Sequence, residues 1–187
     1  MLGRAFYDTE QWTAVVPDPD VRQRKLEQMF TGTMKLVRAA GGVSERTGGF
    51  EALGLWLPPG RSIGFGSMLR SGFASARFVL TPPFPSLRRL TGMLRQFERA
   101  HQQVIPDPHW YLMALGVDPA HQRHGFGSTL VRHGMQKADN DGVPVYHETE
   151  TAANVGFFEQ HGFEVIREIT IEAYELAFSL MVRRPSP

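Results

Sequence analysis

The most constraining stretch of the chain is Gly116–Ala138, where a loop with two closely spaced glycines joins a strand pattern to a helix pattern. The apolar run Trp110–Val117 leads into it and predicts a strand. Apolar or small residues then recur at every fourth position from Phe126 to Ala138, which predicts a helix. The first N–H groups of a helix have no partner within it, and the helix dipole adds partial positive charge there. Because glycines permit close approach, we expect this loop to bind an anion such as a pyrophosphate.

The chain has 187 residues, which suggests one domain with a real hydrophobic core. Twenty basic and nineteen acidic side chains give a net charge of +1, so we expect no nucleic-acid partner held by bulk charge. The absence of cysteine excludes disulfides, cysteine-ligated zinc and a cysteine nucleophile. No apolar run reaches the roughly 18 residues of a membrane span, and the charged N-terminus does not fit a signal peptide. We therefore expect a cytoplasmic protein with no membrane partner.

Patterns outside the central stretch predict further helices and strands in one mixed α/β domain. The predicted helices and strands are Val21–Val37, Val43–Glu45, Glu51–Leu57, a long amphipathic helix from Ser86, Val143–Thr149, Asn154–His161, Phe163–Ile171 and Ala177–Val182. Asp20 fits the N-cap of the first helix. Gly64-Phe65-Gly66-Ser67 is interpreted as a connector, because no clear strand leads into it.

The half of the chain from about residue 109 to 184 resembles the GNAT superfamily of N-acetyltransferases. The run Gln122-Arg123-His124-Gly125-Phe126-Gly127 matches every fixed position of that family's acyl-CoA signature, Gln/Arg-x-x-Gly-x-Gly/Ala. The preceding Leu115–Pro119 looks like the end of the family's fourth strand. Asn154–Phe163 resembles the family's other recurrent segment, Asn…Tyr-x-x-x-Gly-Phe. The order and spacing of the three segments make the resemblance specific.

The resemblance implies a single GNAT-like α/β domain over residues 1–187, with a central mixed, mostly antiparallel sheet, two splayed strands and flanking helices. Residues 1–105 would form the variable half on the acceptor side, and residues 106–184 the acyl-CoA half. It also implies acetyl-CoA as the acyl donor, an amine of unknown identity as the acceptor, and no metal. Acetyl transfer would occur by direct attack in a ternary complex. A homodimer fits the family, in which dimers are common.

The resemblance assigns the donor site to the glycine loop and the strand before it. The motif residues assigned to the CoA pyrophosphate, mostly through backbone amides, are Gln122, Arg123, His124, Gly125, Phe126, Gly127 and Ser128. Backbone groups of Leu115 and Val117 would pair with the pantetheine arm. Gly116 between them suits a bulge or a close backbone approach. Asn154 would hold the arm or the start of its helix, and an ordinary N-cap is the alternative.

Phe158 stands where many members of the family have a tyrosine that protonates the departing thiolate. Phenylalanine has no proton to give, and general acid help typically changes a rate by ~10²–10⁴-fold. Two interpretations stay open. Either another group or water protonates the thiolate, or the protein is a binding module that holds acyl-CoA with little catalysis.

An amine acceptor also needs a base, since a lysine-like amine with a pKa of about 10.4 is mostly protonated at neutral pH. Glu148, on the strand expected beside the donor strand, is the first candidate, with His147 and Glu150 as neighbours. Strand alternation predicts that His147 lies on the opposite face from the two glutamates. His109, before the donor strand, is another candidate because imidazole titrates in the useful range. A chain of water molecules is the alternative to all of them.

Three other features favour structural roles. His121 and His124 have metal-ligand spacing, but no third ligand lies nearby in the sequence and the His-Glu-x-x-His pattern is absent. Trp56 and Trp110 are expected in the core. A nucleotide-binding loop is disfavoured, because Gly125 is not followed by the Lys-Ser/Thr pair of phosphate-cradling nucleotide loops.

Overall fold

The structure is a computed structural model that describes residues 1–63, 84–172 and 174–186, without the side chains of residues 84–91. The connector predicted at Gly64-Phe65-Gly66-Ser67 lies outside these residues. The helices are α1 Leu2–Ala5, α2 Glu10–Val15, α3 Pro19–Ala39, α4 Phe84–Val104, α5 Phe126–Asp141 and α6 Ala152–Glu159, with a 3-10 turn at Pro119–His121. The strands are β1 Val43–Arg46, β2 Ala52–Leu57, β3 Trp110–Val117, β4 Val145–Thr149, β5 Glu164–Ile171 and β6 Leu176–Arg183.

The strands form one sheet in the order β1-β2-β3-β4-β6-β5. Only the β3–β4 pair is parallel, and the other neighbours are antiparallel, as the predicted fold class requires. β3 and β4 pair from Trp110 opposite Val145 to Leu112 opposite His147, and then they diverge. These are the splayed strands that the sequence predicted, so the α/β fold prediction is confirmed.

A bulge in β3 lies where the two strands separate. Leu55 of β2 pairs with Ala114, whereas the next residue, Trp56, pairs with Leu112, so Met113 has no partner in β2. An extra residue bends a strand and increases its local twist. The bulge therefore bends the second half of β3 away from β4.

The expectation of a bulge at Gly116 is wrong, because Gly116 serves the packing of α1. A Cβ at this position would lie 2.5 Å from Leu2 Cδ2 and 3.2 Å from Ala5 Cβ. The missing side chain thus lets α1 lie directly on β3. Arg4 of the same helix donates from Nε to Asp118 Oδ2 at 3.1 Å, which ties α1 to the turn after β3.

Two predicted helix starts are displaced by two residues. Asp20 does not cap α3, because the Asp18 carboxylate accepts from the Asp20 N–H at 3.0 Å and the helix begins at Pro19, a favoured first residue. Thr151 caps α6 by accepting from the Asn154 N–H at 3.2 Å. The N-cap alternative for Asn154 is therefore wrong, and its exposed side chain is available for another role.

Trp56 and Trp110 are in the core, as expected, with 1% and 7% of their surfaces exposed. The helix α5 crosses the sheet above Trp56 through Gly134. A Cβ at Gly134 would lie 2.2 Å from Trp56 Cζ2, so only glycine allows this approach. This contact fixes the height of α5, and hence of the glycine loop at its start, above the sheet.

Gly134→Ala should force the Trp56 indole or α5 to move. We expect the free energy of unfolding to fall by about 1–3 kcal/mol, the usual range for overpacking. Gly92→Ala is the matched control, because Gly92 lies in α4 with nothing within 4 Å of an added Cβ. It should raise stability by about 0.5–1 kcal/mol. Urea denaturation measures both variants, and an unchanged midpoint for Gly134→Ala would contradict the close contact.

Candidate active site

A cavity of about 1600 Å³ opens where β3 and β4 diverge and extends towards the N-terminal helices. The glycine loop, including Gly125 and Ser128, lines one part of it. The diverging strands line another part, with Glu148 among the lining residues. One continuous space therefore connects the predicted anion site with the predicted base.

The glycine loop has the backbone conformation of an anion site. Gly125 is the N-cap of α5 with φ of 81°, and it offers no side chain to cap the helix. An added Cβ at Gly125 would meet nothing within 4 Å. Arg123 also has a positive φ, 63°, which is uncommon outside glycine. The N–H groups that begin α5 thus have no capping side chain in front of them, and there is open space for a phosphate group.

Nearly all the residues predicted for the donor site come together around the cavity. Those that line it are Leu115, Val117, Gln122, Arg123, Gly125, Phe126, Gly127, Ser128, Asn154 and Phe158. His124 is the exception, since its exposed ring donates from Nδ1 to the Gln122 carbonyl at 2.8 Å. A diphosphate and an extended arm therefore fit the residues present.

Glu148 meets the requirements of a general base. Tyr111 of the neighbouring strand donates its hydroxyl to Glu148 Oε1 at 3.1 Å. Burial raises the pKa of Glu148 to about 7, and the Tyr111 hydrogen bond opposes the rise only in part. Burial also raises the pKa of Tyr111, so this hydroxyl keeps its proton and remains the donor. At neutral pH, Glu148 can therefore both accept and release a proton.

His109 is joined to His101, a residue that the sequence did not single out for chemistry. The two Nε2 atoms are 2.7 Å apart, and His109 Nδ1 lies 2.6 Å from the Asp107 carbonyl. A carbonyl only accepts, so we assign the His109 proton to Nδ1 and let its Nε2 accept from His101. Burial lowers the pKa of both rings, that of His101 to about 4, so the pair is neutral.

His147 has different surroundings from Glu148, in agreement with strand alternation. Its ring is 7% exposed and packs on Phe158, with ring centroids 4.1 Å apart. Its Nδ1 donates to the Leu112 carbonyl at 2.8 Å. Burial lowers the pKa of His147 to about 4, although this hydrogen bond acts in the opposite direction. His147 is also among the residues that line the cavity.

Glu150 also lines the cavity, beside α2. Its Oε2 accepts from the Gln11 N–H at 2.9 Å. Burial raises its pKa, and the charge of Glu10 adds to the rise. The N-terminal half thus holds this carboxylate through a backbone N–H and places a second carboxylate near it.

Sequence reasoning missed Tyr111 and His101. Tyr111 was read as part of an apolar strand, and the signal for its role was its hydroxyl in an otherwise apolar run. His101 belongs to the long amphipathic helix predicted from Ser86, and its contact with His109 depends on how that helix packs. Its ring also stacks on Tyr146 with centroids 3.9 Å apart.

Two further findings concern the described ranges only. No group of three or more His, Cys, Asp or Glu side chains there could hold a metal ion. None of the helices there is long and apolar enough to cross a membrane.

Comparisons with known proteins agree with the motif. Residues 84–163 match the model of the acetyltransferase (GNAT) family. An uncharacterized N-acetyltransferase of Schizosaccharomyces pombe is 25% identical over 149 residues, which cover 77% of this chain but 60% of that protein. This chain therefore spans less than two thirds of the length of that curated relative.

Solved structures share the fold over nearly the whole chain. The histone acetyltransferase HPA2 and related acetyltransferase from Corynebacterium glutamicum superposes with a TM-score of 0.67 and 19% identity, covering 100% of this chain and 88% of its own. Arylalkylamine N-acetyltransferase 2 from Aedes aegypti gives a TM-score of 0.60 and 13% identity, covering 99% and 91%. The signature loop and the match of residues 84–163 to the family model agree with the shared fold, and they make this chain similar to the GNAT acetyltransferases.

Proposed function

We propose that this protein is an acetyl-CoA-dependent N-acetyltransferase that moves an acetyl group to an amine by direct attack in a ternary complex. The observation that supports this most is the single cavity that runs from the glycine loop to Glu148. The match of residues 84–163 to the acetyltransferase (GNAT) family model makes acetyl transfer to an amine the first activity to consider. The identity of the amine is left to experiment.

Acetyl-CoA is the donor substrate, with its diphosphate on the N–H groups from Arg123 to Ser128. Support comes from the open space at Gly125 and the uncapped start of α5. The pantetheine arm lies along Leu115 and Val117, in the gap left by the divergence of β3 and β4. Asn154 borders the same space with an exposed side chain. The described residues before β3 form the acceptor side, with residues of α2 and α3 lining the cavity.

Glu148 is the base that prepares the amine. With a pKa of about 7, it takes a proton from the incoming ammonium more readily than an ordinary carboxylate would. His109 is less suited, since its Nε2 is already engaged by His101. The neutral amine then attacks the thioester carbonyl, so that a C–N bond forms and the C–S bond breaks. Backbone N–H groups of the freed β3 edge can stabilise the oxyanion.

The activity test follows thiol release from acetyl-CoA with three probe amines, 2-phenylethylamine, 1,4-diaminobutane and a glycyl peptide. The chain contains no cysteine, so a chromogenic disulfide detects only the CoA thiol. We expect release that depends on enzyme and amine, with the acetylated amine found by mass spectrometry. Binding of CoA without thiol release from any probe would favour the alternative, a binding module suggested by Phe158.

Glu148→Gln should lower kcat by ~10²–10⁴-fold, the usual contribution of a general base. The KM for acetyl-CoA should stay near that of the wild type, because the glutamine still accepts the Tyr111 hydroxyl and lies away from the glycine loop. The wild-type kcat should rise with pH through about 7, and this rise should vanish in the variant. A variant with unchanged kcat would exclude Glu148 as the base.

The same substitution should change how stability depends on pH. The folded-state pKa of Glu148, about 7, is higher than its ordinary value of 4.5, so ionisation disfavours the native state. Glu148 therefore costs no stability below about pH 4.5 and destabilises increasingly as the pH rises through about 7. The melting temperature of Glu148→Gln minus that of the wild type should increase between pH 5 and pH 8. A constant difference over this range would contradict the raised pKa.

Gly125→Ala tests the diphosphate site against a matched control at the other end of α5. Gly125 and Gly142 both have positive φ, 81° and 65°, and an added Cβ meets nothing within 4 Å at either. Both substitutions therefore carry similar backbone strain, but only Gly125 lines the cavity. Calorimetry should show weaker CoA binding for Gly125→Ala, by about tenfold or 1.4 kcal/mol, and normal binding for Gly142→Ala. Equal CoA affinities of the two variants would contradict the placement of the diphosphate at Gly125.

A further inference from the structure

His147 occupies the point where β3 and β4 separate. Its pairing with Leu112 is the last between these strands, and beyond it no strand of the described residues pairs with this edge of β3. An arm that runs along this edge from the glycine loop ends near this last pair. The reacting end of the donor, which is farthest from the diphosphate, therefore comes to the side of the cavity that His147 lines.

The hydrogen bond of His147 decides which of its nitrogens is free. The Leu112 carbonyl can only accept, so Nδ1 carries the proton in the neutral ring and Nε2 has the lone pair. Within the described part of the chain, only Nδ1 of this ring is hydrogen-bonded. The two other cavity-lining histidines, His101 and His109, engage their Nε2 atoms with each other.

The same ring packs against Phe158, where the family's tyrosine would supply a proton. The imidazole and the missing hydroxyl thus belong to one wall of the cavity. From this arrangement, and on the basis of the function proposed above, we infer that His147 is a catalytic residue that carries a proton from the amine nitrogen to the departing sulfur. It stands in for the acid that Phe158 cannot provide.

The protons balance as follows. Glu148 takes the first proton from the ammonium and later releases it to solvent. When the neutral amine forms the C–N bond, its nitrogen becomes positively charged, and His147 Nε2 accepts the second proton. As the C–S bond breaks, the electron pair goes to sulfur, and the imidazolium gives this proton to the thiolate. His147 returns to its neutral form, and the products are the amide, CoA thiol and one proton in solvent.

A buried neutral ring suits this task. Burial lowers the pKa of His147, so the resting ring is neutral and its Nε2 lone pair is present. Negative charge that develops nearby, on the carbonyl oxygen and then on sulfur, favours the protonated ring for the short time it is needed. Tyr111 cannot replace it as the acid, because its hydroxyl is committed to Glu148 and its pKa is raised.

The variant His147→Asn distinguishes a role of His147 in proton transfer from a structural role. Its side-chain N–H can still donate to the Leu112 carbonyl, whereas the atom equivalent to Nε2 is absent. With the amine probe that the wild type acetylates best, we expect kcat to fall by ~10²-fold or more and the KM for acetyl-CoA to stay unchanged. The melting temperature and the CoA affinity report whether the fold and the donor site are intact.

Introducing the family's tyrosine at position 158 gives a second, independent test. Phe158→Tyr is made in two backgrounds, and its effect on kcat in the wild type, where His147 already supplies the proton, is the reference for its effect in the variant. In the His147→Asn background it should raise kcat by ~10-fold or more, a non-additive result that a structural role of His147 does not produce. Equal effects of Phe158→Tyr in both backgrounds would overturn the inference.

Nitrogen-15 NMR of the histidine rings gives a readout without turnover. CoA and desulfo-CoA differ only in the thiol group, so both should bind to the wild type. The His147 Nε2 resonance should shift with CoA and not with desulfo-CoA. Identical spectra with the two ligands would overturn the inference even if His147→Asn fails to fold.

The outcomes distinguish this inference from the function on which it rests. No thiol release by the wild type with any probe contradicts both. Thiol release by the wild type, together with an unchanged kcat in His147→Asn, contradicts the His147 shuttle alone and leaves acetyl transfer intact. A loss confined to CoA affinity or melting temperature would make His147 a structural residue.

Discussion

The separation of β3 from β4 is the constraint on which the rest of the structure depends. Neighbouring strands normally satisfy each other's backbone groups, and unpaired N–H and C=O groups inside a protein are costly. Here the pairing stops at Leu112 opposite His147, in the middle of the sheet. The Met113 bulge bends β3 on one side, and α1 supports it through Gly116 on the other. What remains is an internal sheet edge, open to the cavity, that can accept an extended ligand much as it would accept a strand.

Burial around this gap sets the protonation state that each ionisable side chain has at neutral pH. Glu148 is held close to the midpoint of its titration at neutral pH, whereas His147 and the pair of His101 and His109 are held neutral. The two side chains occupy adjacent positions of β4 but have different contacts. Glu148 accepts a hydrogen bond from a tyrosine hydroxyl, whereas His147 donates to a backbone carbonyl and packs on Phe158. One short strand therefore carries, side by side, a carboxyl with a raised pKa and an imidazole with a lowered pKa.

Much of this architecture is readable in the sequence, because periodicity and a glycine motif act locally. The strands β1 to β3, the glycine loop and α5 follow from residues close together in the chain, as does the position of Glu148. The helix caps were misplaced, since Asp18 and Asp20 are both good capping residues and only the backbone chooses between them. Contacts between residues far apart in the chain could not be predicted from the sequence. Neither the contact of α1 with Gly116 nor the pairing of His101 with His109 leaves a local pattern.

The ion pair between Arg4 and Asp118 joins residues 114 positions apart in the chain. During synthesis α1 leaves the ribosome well before β3 and the turn that it packs against. Contacts between residues so far apart in the chain form more slowly than local ones, because a long loop must be closed first, so we expect this docking at a late stage of folding. Until then the face of β3 that α1 covers is exposed, and the turn that contains Asp118 lacks its contact with Arg4. The support of β3 is thus completed by two segments that lie far apart in the chain.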